Sequence, residues 1–372
     1  MTMRRFALLS GVAAVVAIVA LATGGGPLAA QSPFSPNVSV FAAGLNNPRG
    51  LTFGPDGNLY VAEGGLAGDR TTSEGDCAQV LAPVGPYSGG YTGRISRIDS
   101  SGTRTTVADG LPSSKTSPNL GSLVSGVADV QFVGGELYAL EAGAGCSHGL
   151  LGTDNLLVRV NADGSTTPIA NLSEFQRMHP VVEPELDDFE PDGTWYSMVA
   201  VRGYLYAVEP NHGEIDRIDP STGAINRVID VSARRGHIVP TTIAYKGNFF
   251  FGNLGTFPII PGTDAVYKVT PSGQIMEWAS GLTTVLGLAF GSHDRMYALE
   301  SMTVAGFPSP AELFMGRVVQ IDPNGHQRVI ATGLSFPTAM TMGPDGALYV
   351  SNVGFGGPDP GLGQVLRITV PE

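Results

Sequence analysis

The chain has 372 residues, of which 51 are Gly and 27 are Pro, with 42% hydrophobic and only 15% charged residues. That hydrophobic content excludes global disorder, and the Gly and Pro content suits many short strands joined by tight turns. The formal charge of −12 excludes a nucleic-acid binder that works through phosphates, because such binding needs clustered cations.

In chain order, the first element reads as an export signal. Arg4 and Arg5 precede an apolar run from Phe6 to Ala22, a Gly/Pro break, and Leu28-Ala29-Ala30 before Gln31. This is the pattern of a secretory signal peptide over 1–30, with cleavage expected after Ala30 and a second candidate cut at Ala20-Leu21-Ala22. An uncleaved anchor is the competing reading, since the run approaches membrane-spanning length. Cleavage removes two arginines, so 21 basic against 33 acidic residues becomes 19 against 33, or −14. The mature chain, 31–372, is expected to be secreted or periplasmic, off the membrane, and a monomer.

Next, Val38 to Leu45 reads as a lone strand. Gly50 to Glu63 reads as a hairpin around Gly54-Pro55-Asp56-Gly57; Pro followed by Asp-Gly is a strong turn signal. A second hairpin runs from Gly93 to Asp99, turns at Ser100-Ser101-Gly102, and returns through Thr105 to Ala108. The same pair of hairpins recurs as Val127–Glu141 with Asn155–Ala170, and as Tyr196–Glu209 with Glu214–Ile229. It recurs again as Thr242–Asn253 with Ala265–Ala279, and as Leu288–Glu300 with Arg317–Ala331. Ala339–Asn352 repeats the Gly-Pro-Asp-Gly turn, but only a third strand, Gln364–Ile368, follows it. The fourth strand missing there is matched by the lone strand at 38–45, whose pattern parallels Val329–Leu334. An N-terminal strand that completes the last unit closes a ring and removes exposed sheet edges. The pattern therefore predicts an all-β, six-bladed β-propeller with four-stranded blades over 31–372, rather than an open solenoid, which would need capping repeats.

The stretch from Gly44-Leu45 through Pro48, Gly50-Leu51 and Phe53-Gly54-Pro55-Asp56-Gly57 to Leu59-Tyr60-Val61-Ala62-Glu63 resembles NHL-repeat and gluconolactonase-like propellers. With the signal-like start and the long Gly-rich segment after Glu63, the chain is similar to the ScyD/ScyE family. That family takes its name from genes grouped with synthesis of scytonemin, a cyanobacterial sunscreen pigment. The resemblance implies an exported propeller associated with extracellular secondary-metabolite formation, and by itself no catalytic step. Gluconolactonase-like enzymes hold a divalent ion with Glu, Asn and Asp. That likeness implies Glu63, Asp129, Asn253 and Asn352 as metal candidates and Ca²⁺ or another divalent cation as cofactor, although their spacing does not align with such a set.

The long insertions fall at 64–92, 112–123, 142–154 and 173–194. In a propeller these connections share one face, and long loops grouped on one face point to binding of a protein or small molecule. Cys77 and Cys146 lie in insertions of neighbouring blades, and export would let them form a disulfide.

Strand two ends in a polar residue in every unit: Glu63, Glu141, Glu209, Asn253, Glu300 and Asn352. An acidic ring holding Ca²⁺ is one reading. The other, favoured because strand two is not innermost, is that each side chain accepts N–H bonds from a following loop. The inner-strand starts, Arg49, Asp129, Trp195, Thr241, Leu286 and Thr338, are better placed to face the tunnel mouth. Glu183, Glu185, Asp187, Asp188, Glu190 and Asp192 form an acidic run that reads as solvated loop surface, with a cation as the alternative.

The histidines are scattered. His148, His179 and His237 fall on the elaborated face; His212, His293 and His326 read as surface residues. No metalloprotease helix motif, nucleophile elbow or phosphate loop is present. A quinone-dependent sugar dehydrogenase would want a basic cluster, and only Lys115, Lys246 and Lys268 are available as lysines. The sequence therefore favours a binding or scaffold propeller, with a metal-dependent hydrolase or lyase as the alternative.

Overall fold

The two Gly-Pro-Asp-Gly segments fold as the turns their residues demand. Gly57 and Gly346 take φ of 76° and 74°, a left-handed conformation that a Cβ disfavours. In each turn the Asp caps the next strand: Asp56 Oδ1 accepts from the Asn58 amide and Asp345 Oδ1 from that of Ala347. The same carboxylates take a Tyr hydroxyl, from Tyr60 and Tyr349, and an Arg, from Arg97 and Arg367.

The computed structural model describes residues 33–184, 189–270, 273–306 and 313–371. The signal-peptide reading of 1–30 lies outside them. Each of six antiparallel sheets is a blade. Blade 1 comprises Pro48–Phe53, Leu59–Glu63, Ser88–Ile98 and Arg104–Lys115. Blade 2 comprises Val127–Val133, Glu136–Glu141, Leu156–Val160 and Thr166–Asn171. Blade 3 comprises Ser197–Val201, Tyr204–Glu209, Glu214–Ile218 and Ile225–Asp230. Blade 4 comprises Pro240–Tyr245, Phe249–Asn253, Asp264–Val269 and Ile275–Leu282. Blade 5 comprises Val285–Phe290, Met296–Glu300, Gly316–Ile321 and Gln327–Leu334. Blade 6 takes Ala339–Met342, Leu348–Asn352 and Gly363–Ile368, and is completed by Val38–Leu45. In that closure Val38 pairs with Ile368 and Leu45 with Gly363. The fold is thus the expected six-bladed propeller.

The core is divided between the blades. One buried apolar cluster joins Ala62 and Ile95 of blade 1 to Val130 and Ala139 of blade 2, and a comparable cluster fills every other interface between neighbours. The last, with Leu45, Val61, Ala347 and Val365, seals blade 6 against blade 1. Alternation along each strand sends one side chain to each neighbour, which is why the blades stack.

Two insertions differ from expectation. Residues 88–92 and 109–115, read as loop, continue the outer two strands of blade 1, and Val124–Ser125 adds a fifth strand there. Backbone pairing such as Ser88 with Lys115 satisfies groups that a loop would leave to water. The insertion after Asn171 carries a helix, Leu172–Met178, capped by the Asn171 side chain accepting from the Glu174 amide.

Cys77 and Cys146 form a disulfide that links the insertions of blades 1 and 2. Thr72 Oγ1 donates to the Cys146 carbonyl at 2.5 Å beside it. Because the bridge spans 69 residues, the double variant Cys77→Ser/Cys146→Ser is expected to lose about 2–4 kcal/mol in a denaturant titration. An unchanged midpoint would show that the bridge does not constrain the chain.

Candidate functional site

All six residues that end strand two are buried, and the cross-strand neighbour of each decides its chemistry. Glu63 faces Arg94 and Glu300 faces Arg317. Arg94 Nη2 lies 2.6 Å from Glu63 Oε2, and Arg317 pairs with Glu300 in the same way. The carboxylates then reach the link that leads into their own blade. Glu63 accepts from the Asn46 amide at 2.6 Å, Glu300 from Thr283 at 2.7 Å, and Glu209 from Thr194 at 2.9 Å.

Asn352 accepts from the Ser335 amide at 2.8 Å. Asn253 uses its other end, donating to the Ile238 carbonyl at 3.0 Å while accepting from Ala265 at 2.8 Å. Asp129 lies between blades 2 and 3, where its two oxygens accept from the Val130 and Met198 amides, each at 2.8 Å. Glu63, Asp129, Asn253 and Asn352 are each engaged in this way. Among the described residues no group of three or more His, Cys, Asp or Glu is arranged to hold a metal ion.

Among the described residues Glu141 has no such cation. Glu141 receives only the Leu156 backbone amide, and burial pushes its carboxyl up to about 8. Burial likewise pushes Asp129 up to about 7, despite its two backbone donors, and Asp264 up to about 6. Glu209 faces Glu214; burial raises Glu214, with Arg227 opposing it. Asp216 is raised well above the carboxylate range, by burial first and Glu214 next.

The inner ends of the blades enclose the main cavity, of about 660 Å³, within the range of small-molecule sites. Five of the six inner-strand starts expected at the tunnel mouth line it: Arg49, Trp195, Thr241, Leu286 and Thr338. Blade 2 instead contributes Ala128. Val127 faces Glu141 as Val285 faces Glu300, so Ala128 is the counterpart of Leu286 and Asp129 stands one residue further along the strand. From there Asp129 reaches the Met198 amide of blade 3 and packs on Gly50 of blade 1, where a Cβ would lie 1.9 Å from its Oδ1.

Tyr196 of the blade 3 entry donates to the Thr338 carbonyl of blade 6 at 2.7 Å. Blades 3 and 6 stand opposite in the ring, so this side chain bars the axis. The insertions contribute to the wall through Val84, Tyr87, Leu120 and Glu190, alongside later loop residues such as His237, Phe257 and Phe336. A small apolar cluster of loop residues, including Ile259, Met302, Leu123 and Phe355, packs around it.

Sequence reasoning missed a buried polar chain at this wall. Tyr87 Oη donates to Glu190 Oε1 at 2.8 Å, and Glu190 Oε2 lies 3.3 Å from His148 Nε2. His148 Nδ1 lies 3.0 Å from Ser114 Oγ, and the imidazole stacks on Tyr87. Glu190 and Asp192 are therefore buried rather than solvated. Asp192 accepts from the Ser147 amide and hydroxyl. Glu183 is exposed, and Glu185, Asp187 and Asp188 lie outside the described residues. His212 is likewise buried, not at the surface: it stacks on Phe189 and its Nε2 meets the Glu190 carbonyl at 2.9 Å. His237 lines the cavity, while His179, His293 and His326 are exposed.

No family model matches the chain, and no curated protein matches it in sequence. Its fold is similar to solved propellers at low identity. A glucose dehydrogenase-type oxidoreductase from Thermus thermophilus shares 19% identity over 89% of this chain and 99% of that one, with a TM-score of 0.52. A gluconolactonase from Xanthomonas campestris shares 10% over 90% and 89%, at 0.53. The calcium-binding protein regucalcin from Agrobacterium tumefaciens shares 13% over 89% and 92%, at 0.51. These neighbours establish the six-bladed architecture. A divalent ion does not fit the inner-strand starts at this cavity. The inner-strand starts that face the cavity are Arg49, Ala128, Trp195, Thr241, Leu286 and Thr338, and none is a carboxylate of the kind a hard cation prefers.

The polar ring can be tested at two points. Arg94→Ala leaves Glu63 buried with only the more distant Arg104, at 3.9 Å, and is expected to cost about 3 kcal/mol in denaturant unfolding; a loss below ~1 kcal/mol would remove the pair from the stabilising set. For Glu141 the folded pKa lies above the unfolded one, so the folded state holds the proton more tightly. Its contribution is fully present below about pH 4.5 and is lost as pH rises through about 8. Asp129 and Asp264 act in the same direction around 7 and 6. Melting temperature should therefore fall from pH 5 to 8.5, and Glu141→Gln should flatten that slope; an unaltered slope would refute the assignment.

Proposed function

We propose that this chain is an exported binding propeller of the ScyD/ScyE type that takes a small, mostly apolar molecule into the axial cavity of its elaborated face. The observation that carries this reading is the cavity itself. Its exposed lining is chiefly apolar in area, with Trp195, Leu286, Phe336 and Phe355 among the walls, while Arg49, Glu190, Asn211, His237 and several Ser and Thr side chains supply polar groups. That mixture is what small-molecule sites use: apolar area for affinity and placed polar groups for orientation.

Export is supported by the apolar run behind Arg4 and Arg5 and by the disulfide. The family assignment rests on the 44–63 motif, and with it comes the association with extracellular secondary-metabolite formation. The insertions that build the wall are those that single out the binding face. A monomer matches a ring whose edges are already paired.

The metal-dependent hydrolase or lyase reading shares only the architecture, because the residues at the tunnel mouth supply no divalent-cation set. Titration of the mature protein with the neutral fluorophore N-phenyl-1-naphthylamine is expected to give saturable, one-to-one binding that survives chelator. Ser301, buried on the cavity wall, offers a plug: Ser301→Trp should weaken binding at least tenfold while circular dichroism stays unchanged. Absence of saturable binding, or full affinity in Ser301→Trp, would overturn the cavity as the site. Loss of binding with chelator would return the metal reading.

A further inference from the structure

We infer that Arg49 anchors a negatively charged group on the bound molecule, so that the cavity selects an organic anion with an apolar, aromatic-sized body. This rests on the cavity reading above and adds to it the chemical class of the ligand. Arg49 stands at the entry to blade 1, is 7% exposed, and lines the cavity. Its guanidinium is charged at any ordinary pH and carries five donors.

Its surroundings are neutral. Nη2 donates to the Val124 carbonyl, the group lies over the Phe355 ring at 4.9 Å, and the Tyr196 hydroxyl is within hydrogen-bond reach. Among the described residues no carboxylate forms an ion pair with it. Elsewhere the molecule neutralises its part-buried arginines: Arg94 has Glu63, Arg227 has Glu214 and Arg317 has Glu300. Arg49 departs from that pattern, and it is the arginine that faces the cavity. An uncompensated charge taken out of water is costly, and a carboxylate, sulfonate or phenolate entering beside it supplies the missing partner through charge-assisted hydrogen bonds.

The rest of the wall orients such a molecule. The carboxylate of the cavity, Glu190, is tied to Tyr87 and His148 and is not among the groups that act on Arg49. It repels a second anion and leaves the Arg49 end as the place for negative charge. Aromatic faces at Tyr196, Trp195 and Phe355 suit a flat body between the two. The acidic mature surface, at 19 basic against 33 acidic residues, disfavours unspecific uptake of anions, so anion preference reports on the cavity.

The test compares two probes that share one ring system: 8-anilinonaphthalene-1-sulfonate, which is anionic, and N-phenyl-1-naphthylamine, which is neutral. The wild-type chain is expected to bind the sulfonate at least tenfold more tightly, although the neutral probe is the more hydrophobic. Arg49→Gln should abolish that preference while leaving affinity for the neutral probe within about twofold, and Arg49→Lys should retain part of it. Equal wild-type affinities, or a preference that persists in Arg49→Gln, would reduce Arg49 to a structural tie to Val124 and overturn the inference. The cavity reading would survive that result, because neutral-probe binding blocked by Ser301→Trp tests it separately. If thermal melting shows Arg49→Gln unfolded, the wild-type ratio and Arg49→Lys decide.

Discussion

Val38 pairs with Ile368 and Leu45 with Gly363, and on that pairing every other interface depends. Each blade buries one face against each neighbour, so a ring lacking one outer strand would expose a sheet edge and leave the cluster around Leu45 and Ala347 open to water. The tie is reinforced from outside the strand, since Asn37 donates to the Thr369 and Ile330 carbonyls and thereby touches blades 6 and 5 together. Joining residues so far apart costs chain entropy, though the cost grows only slowly with length. Because the pairing is non-local, the ring closes late and slowly by the topology rule for β proteins.

Inside the blades the cross-strand position decides which partner a buried polar residue meets. An arginine opposite strand two allows a glutamate at Glu63 and Glu300, and Gln364 accompanies Asn352. Leu156 leaves Glu141 without a cation, and its carboxyl holds a proton instead. The ring that resembled a cation site is therefore a set of internal ties, five of which fix the link that leads into their own blade. Those links carry the inner-strand starts, so the ties position the cavity wall without facing it. The polar chain through Ser114, His148, Glu190 and Tyr87 plays the matching part for the insertions.

The fold was legible because its determinants are local and repeated. Asp-Gly turns force hairpins, and the orphan strand at 38–45 could belong only to the incomplete last unit. The wall was legible in part for the same reason: position within the repeat places Thr241, Leu286 and Thr338 at the inner end without reference to any partner. Asp129 departed from this because the inner start of blade 2 lies one residue earlier than the repeat reading put it: Val127 faces Glu141 as Val285 faces Glu300, so Ala128 holds the place that Leu286 holds in blade 5. What the sequence did not disclose are pairings between insertions. Nothing local marks His148 and Glu190 as neighbours, and the burial of His212 depends on Phe189 and the Glu190 carbonyl. Residues 88–92 and 109–115 carry no strong strand pattern, and their pairing rests on each other. The isolation of Arg49 is a property of its surroundings, visible only once the other arginines are seen with their partners.

The Tyr196 side chain, stretched from blade 3 to the Thr338 carbonyl, crosses between opposite blades of the ring. On the proposed reading, a molecule in the cavity would then come and go on the elaborated side. Residence time is then governed by how readily the insertions part, and the rigid ring contributes little to it. The Cys77–Cys146 bridge holds two of those insertions together, so it belongs to the doorframe as much as to the scaffold. If the cavity takes a ligand as proposed, opening the bridge would speed its exchange without any change in the walls it touches.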